Sequence, residues 1–198
     1  MTDLLSAPTL LVEQPKKFFS VESKYHVYDD QGTELANVAE LNLPGWMKVL
    51  RFLIKDTSNL PRKLQISDPS GQPVLVVDKP FAFFKPKTAV QRPDGTVIGY
   101  IAQTIKIVGG TRFQLLDQNG QFVGLISGRW HGWEFTITDA QENEIAQVNK
   151  KFAGLTKELF TTADRYGVQM QPDLPEPLHT LVVASGVTLD VVLSESKE

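Results

Sequence analysis

The chain has 198 residues, 41% of them hydrophobic and 22% charged, with a formal net charge of −3, which suits one soluble globular domain with a substantial core. Cysteine is absent, which excludes a disulfide framework, thiolate catalysis and palmitoylation. Met1-Thr-Asp-Leu-Leu lacks the basic and apolar regions of a secretory signal and there is no Asn-x-Ser/Thr sequon, so the expected location is the cytoplasm.

In chain order, residues 1–17 are expected to form an N-terminal arm, and residues 18–198 a single domain beginning with a strand near Phe18. Five hairpin signals follow, each an alternating apolar strand, an Asp/Asn/Gly turn and a second strand. Tyr25-His-Val-Tyr turns at Asp29 to Gly32 into Glu34-Leu-Ala-Asn-Val. Leu64-Gln-Ile-Ser turns at Asp68 to Gly71 into Val74-Leu-Val-Val. Ala89-Val-Gln turns at Pro93-Asp94-Gly95 into Val97-Ile-Gly-Tyr-Ile. Phe113-Gln-Leu-Leu turns at Asp117 to Gly120 into Phe122-Val-Gly-Leu-Ile. Glu134-Phe-Thr-Ile-Thr turns at Asp139 to Glu144 into Ile145-Ala-Gln-Val. A further strand is expected near Val168.

Two segments interrupt this pattern. In Leu43 to Asp56, the apolar Trp46, Met47, Leu50, Leu53 and Ile54 alternate with Lys48, Arg51 and Lys55, as in a short basic element that lies on membrane surfaces. In Lys79-Pro-Phe-Ala-Phe-Phe-Lys-Pro-Lys, the aromatics Phe83 and Phe84 are clamped by Lys85 and Lys87. Both segments also read as core strands with solvated ends. The stretch Phe160 to Asp173 carries two acids, Asp164 and Asp173, that could bind a cation.

Residues 178–193 are apolar almost all round and follow Pro175 and Pro177. As a helix this run is about 24 Å long, short of the roughly 30 Å core of a bilayer. His179 and Asp190 would be costly in lipid. A helix apolar on every face that cannot span must be buried inside something. The alternative is a buried strand, since Val and Thr are plentiful; the length of the run favours the helix. About a dozen strands could close around it and so remove their edges.

Charge is uneven. Residues 45–112 hold eleven Lys or Arg and four acids, a net of +7, and the remainder of the chain carries −10. A basic middle on an acidic protein can hold a local anionic partner, or simply be mixed over the surface by folding. Motifs for bond chemistry are missing: no G-x-S-x-G, H-E-x-x-H, G-x-G-x-x-G or P-loop occurs. His26, His131 and His179 are far apart. Gly109-Gly110 reads as a hairpin turn. Trp130-His-Gly-Trp133 could stack on a ligand or serve the structure, and its place before a strand favours the structure.

The colinear pieces Ile98-Gly-Tyr-Ile-Ala-Gln, Phe113-Gln-Leu-Leu, Phe135-Thr-Ile-Thr-Asp, Gly154-Leu-Thr-Lys-Glu-Leu-Phe-Thr, Ala163-Asp-Arg-Tyr-Gly-Val-Gln and the apolar tail resemble the phospholipid scramblase family. Its wider relatives are the LURP-one-related and Tubby-like proteins. The resemblance covers about residues 18–195. It implies an all-β-dominated fold, a closed antiparallel barrel of about twelve strands around a central hydrophobic C-terminal helix. It also implies a non-enzymatic protein that meets anionic phospholipid membranes peripherally, at their inner face, and redistributes lipid.

Departures from the family pattern bear on its sites. Where the family has an acidic segment proposed to bind Ca²⁺, this chain keeps Asp164 and Asp173, has Thr162 at the first acidic position and adds Arg165. Ca²⁺ takes six to eight oxygens, so the metal site is a degraded one and no cofactor is expected. The family's palmitoylated cysteine clusters match residues 43–55 and 79–87. The expected lipid-binding residues are therefore Trp46, Lys48, Arg51, Lys55, Phe83, Phe84, Lys85 and Lys87, with aromatics beside lysines in place of acyl chains. The alternative function is an interaction or regulatory barrel binding a protein partner; a nucleic-acid partner is the least expected. A small-ligand carrier is disfavoured, because the helix should fill the lumen.

Overall fold

The computed structural model describes residues 3–14, 24–41, 60–81, 87–104, 111–129, 133–150 and 164–194. Among them, twelve strands form one closed antiparallel barrel: β1 (Thr9–Gln14), β2 (Lys24–Tyr28), β3 (Glu34–Glu40), β4 (Arg62–Ser67), β5 (Pro73–Lys79), β6 (Lys87–Gln91), β7 (Val97–Gln103), β8 (Thr111–Asp117), β9 (Phe122–Arg129), β10 (Glu134–Asp139), β11 (Glu144–Asn149) and β12 (Asp164–Met170). Each strand pairs with its neighbours in sequence, and β12 returns to pair with β1 along Thr9↔Gln169 to Gln14↔Asp164. All five hairpins expected from the sequence are present. The strand near Val168 is β12; the one near Phe18 lies outside the described residues. The stretch read as an arm supplies β1, which closes the ring, so the barrel starts ahead of residue 18.

The hairpins share one loop design. In four of them an Asp opens the turn, and its carboxylate accepts from the backbone N–H groups two and four residues on. Asp29 accepts from Gln31 and Thr33, Asp68 from Ser70 and Gln72, Asp117 from Asn119 and Gln121, and Asp139 from Gln141 and Asn143, all at 2.7–2.9 Å. In the third hairpin Arg92 opens the turn and Asp94 accepts from Thr96 at 2.8 Å. The fourth loop residue is left-handed: Gly32, Gly71, Gly95 and Gly120 in four loops, and Glu142 with φ 66° in the fifth. Glycine reaches this region without steric cost, and the register slips beside every turn mark the accompanying bulge.

Alternation along the strands separates an inner from an outer face. Leu64, Ile66, Leu75, Val77, Val90, Ile101, Phe113, Leu115, Ile126, Ile137, Val148 and Val168 point inward and are buried. They surround α1 (Leu178–Ser194), the helix expected from the apolar run. Leu181, Val182, Ala184 and Leu189 have no exposed surface, and Val183 and Val187 have 3% or less. The Val and Thr content does not make it a strand. A lone strand in the lumen would leave its backbone N–H and C=O groups unpaired, whereas a helix satisfies them internally. Its buried hydroxyls are satisfied too: Ser185 donates to the Val182 carbonyl at 2.7 Å, Thr188 to Ala184 at 2.9 Å, and Thr180 to the Glu176 carboxylate at 2.8 Å. The Tyr166 hydroxyl donates to the Gly186 carbonyl and ties the helix to β12. The wall thins where the helix presses on it. A side chain at Gly99 would strike the Leu116 carbonyl and meet Leu181 at 3.1 Å.

Two expected outcomes follow from this arrangement. Leu181→Asp places an unpartnered charge in the lumen and costs several kcal/mol, a large part of the about 5–15 kcal/mol that holds an ordinary domain together; urea unfolding measures it. The turn aspartates tie stability to pH. Hydrogen bonds hold the Asp68, Asp94 and Asp139 carboxyls below the ordinary aspartate value, through the Ser70 hydroxyl, the Thr96 N–H and the Asn143 amide respectively. Their contribution is complete above the unfolded pKa and is lost as pH falls through the lowered folded one. The stability gap between the protein and Asp139→Ala should therefore be wider at pH 7 than at pH 2.

Candidate functional site

An up-and-down barrel sorts its connections by parity. The five tight hairpins and the segment leading into α1 lie at one end, here called the crown. Strands β1, β3, β5, β7, β9 and β11 finish at the other end, the rim, where β2, β4, β6, β8, β10 and β12 begin. The two interrupting segments of the sequence therefore leave and rejoin the barrel at the same end: one joins β3 to β4, the other β5 to β6. Trp46, Lys48, Arg51 and Lys55 in the first, and Phe83, Phe84 and Lys85 in the second, lie outside the described residues. Lys87 is described. It opens β6 and is exposed, but its ammonium lies 3.7 Å from the centre of the Tyr100 ring, a cation–π contact, and reaches Gly120 of the β8–β9 turn, so its charge is turned toward the crown.

The strand ends supply further cations at this rim. Lys63, Arg112, Arg129 and Lys150 are exposed there. Lys63 meets Asp78 at 3.5 Å, register sets Arg129 opposite Glu134, and Lys150 reaches to 5.6 Å from the Trp133 ring. Just inside, Arg62 and Lys79 occupy one register step on β4 and β5, 9% and 1% exposed, and the buried Thr88 stands on β6 beside them. Phe81, past the end of β5, is 52% exposed. Sequence reading passed over Arg112 and Arg129 because each is a single charge in an alternating strand. The available signal was parity: both occupy outward positions at the rim end of their strands.

Other sequence candidates resolve into structural roles. Trp133 is 5% exposed, stacked on Tyr166 at 4.6 Å and set edge-on to Phe135 at 6.4 Å. His26 bonds Glu34 at 2.7 Å, and His179 lies 3.6 Å from Glu176. His131, Trp130 and Gly109-Gly110 lie outside the described residues. Two open clefts flank the start of α1 at the crown. One, of about 310 Å³, lies between Arg92, Asp117 and Glu176; the other, of about 400 Å³, lies between Leu5, Met170, Asp173 and His179. The two acids of the candidate cation segment do not meet. Asp164 opens β12 at the rim, and Asp173 follows its end at the crown with φ 61°. The strand between them spans about 20 Å, so the pair cannot ligate one ion. Among the described residues no cluster of three or more metal-ligating side chains occurs.

The Scramblase family model matches residues 1–196. A phospholipid scramblase family protein of Schizosaccharomyces pombe is 26% identical over 179 residues, covering 82% of this chain and 46% of its own. Human phospholipid scramblase 2 is 26% identical over 149 residues, 68% of this chain and 50% of its own. Altered inheritance rate of mitochondria protein 25 of Saccharomyces cerevisiae is 22% identical, over 85% of this chain and 60% of its own. The chain thus spans about half the length of the curated relatives it matches. A crystal structure of a protein from Arabidopsis thaliana shares the fold, with a TM-score of 0.57 at 16% identity over 100% of this chain and 98% of that one. With the match running over nearly every residue of a twelve-stranded barrel closed around its helix, this chain belongs to the scramblase family.

Proposed function

We propose that this chain binds the surface of anionic phospholipid membranes peripherally and acts there on lipid distribution, without bond chemistry and without a cofactor. The observation that carries this reading is topological: both basic, aromatic segments attach to the one rim where Lys63, Arg112 and Arg129 are exposed. Cations near an anionic leaflet attract it, and aromatic rings settle among headgroups. The contact set is then Trp46, Lys48, Arg51 and Lys55 with Phe83, Phe84 and Lys85. Membership of the scramblase family supports a lipid ligand.

The build of the barrel favours attachment over insertion. Among the described residues no helix is long and apolar enough to cross a membrane, and α1 is buried in the lumen. The outer wall shows Lys63, Arg112, Gln114, Gln147 and Gln169 to solvent; a wall in contact with lipid tails is apolar. The reading puts the protein at the inner, cytoplasmic face, where anionic lipid is concentrated.

Co-sedimentation with vesicles tests it. Binding should require phosphatidylserine or another anionic lipid and weaken as salt rises. Each lysine or arginine near such a surface contributes about 1 kcal/mol, so replacing Lys48, Arg51 and Lys55 together by Gln should weaken binding about 100-fold, and Trp46→Ala should reduce it further. Equal binding to neutral and anionic vesicles at every salt concentration overturns the proposal. The separation of Asp164 from Asp173 sets a second expectation. Millimolar Ca²⁺ near its dissociation constant adds only tenths of a kcal/mol, so the melting temperature should hardly move. A large rise lost in Asp164→Asn would show a calcium site after all.

A further inference from the structure

We propose that the barrel docks on the membrane end-on, with its rim against the anionic surface and its crown directed away, and that Arg112 and Arg129 are contact cations of this pose. The inference rests on the lipid-surface reading above and adds to it an orientation and two residues, Arg112 and Arg129, that no sequence motif marks.

The argument is the distribution of charge along the barrel axis. The crown segments 3–8, 29–34, 68–72, 92–97, 117–122, 139–144 and 171–177 hold twelve acids and a single Lys or Arg, Arg92. Three of its turn aspartates, Asp68, Asp94 and Asp139, stay charged to lower pH than an ordinary aspartate, because side-chain and backbone donors hold them low. The described strand ends at the rim carry the opposite net sign, nine Lys or Arg against Glu13, Glu40, Asp78, Glu134 and Asp164, with Lys63, Arg112, Arg129 and Lys150 exposed; the Lys87 ammonium turns away from the rim, to Gly120 of the β8–β9 turn. A seven-residue strand such as β5 or β8 is about 20 Å long, and at a barrel tilt of about 35–45° it separates the two ends by about 15 Å along the axis. The Debye length at physiological salt is about 8 Å. An end-on pose therefore places the crown acids about two Debye lengths from the lipid phosphates, where their repulsion is largely screened. A side-on pose brings part of the crown within one Debye length, and an inverted pose sets all twelve acids against the surface. Arg112 and Arg129 face outward at the rim on the paired strands β8 and β9.

The chain contains no cysteine, so single labels are specific. A fluorophore on Phe81→Cys reports the rim end of β5, and one on Ser70→Cys the crown end. On phosphatidylserine vesicles carrying a headgroup acceptor dye, the label at 81 should be quenched strongly and the label at 70 weakly. Arg112→Gln with Arg129→Gln should weaken binding about 25-fold, at about fivefold per charge. Gln118→Glu with Gln141→Glu, the same change of −2 in net charge made at the exposed crown, should leave affinity nearly unchanged. Strong binding with equal quenching at both labels, or equal losses in the two double variants, overturns the end-on pose and leaves the lipid-surface reading standing. Failure of the unmodified chain to bind anionic vesicles overturns both.

Discussion

The fold depends on filling the lumen with α1. The inward side chains of a barrel of about eight strands suffice to pack its interior; twelve strands enclose more space than their own side chains occupy. A single helix, apolar on every face, fills it. The consequences run through the whole structure. Gly99 and Gly124 leave room for Leu181 and Leu178, where a methyl group would strike strand carbonyls. Ser185 and Thr188 turn their hydroxyls back onto the helix's own carbonyls, so neither faces the apolar wall unpaired. Tyr166 reaches from β12 to the Gly186 carbonyl and ties the last strand to the helix that follows it. A helix used in this way cannot also anchor the chain in a bilayer.

Sorting by parity is the second constraint. Once strands run alternately up and down, every odd-to-even connection emerges at the rim and every even-to-odd connection at the crown. The crown connections are all short, and short hairpins need a left-handed residue and a side chain that can accept the exposed N–H groups of the turn. Aspartate meets the second need, and its carboxylate is favoured by the donors it collects. The acidity of the crown is in this sense a by-product of turn chemistry. The rim connections carry no such requirement, and their composition is free to follow function.

These two constraints join into one physical picture. Stability is concentrated in the lumen and the crown, in apolar burial and in repeated turn hydrogen bonds. The proposed contact with lipid is concentrated at the opposite end, some 20 Å away along the strands. Substitutions that weaken one need not disturb the other, and a charge contrast along the axis, produced partly by folding requirements, is available to orient the molecule on an anionic surface.

Much of the fold was legible locally. Three Asp-x-x-Gly turns, the Pro93-Asp-Gly turn and the turn at Asp139, each between alternating apolar runs, set out five hairpins, and the all-round apolar character of residues 178–193 marked a buried helix. Lys87 and the two interrupting segments were visible as charge beside aromatics. Closure was not legible. The pairing of Leu10 with Val168 joins positions far apart in the chain, and no local periodicity reports a contact between the two ends, so β1 read as an arm. The same holds for the sites. Asp164 and Asp173 are near neighbours in sequence, and only the extended course of β12 puts them at opposite ends of the barrel. Arg112 and Arg129 are ordinary strand residues until the order of strands brings them to one rim. Sequence by itself determined the hairpins and the helix, because turn chemistry and apolar periodicity act within a few residues; the tertiary structure alone decided that β1 closes the ring and which charges stand together, because both depend on how the strands close.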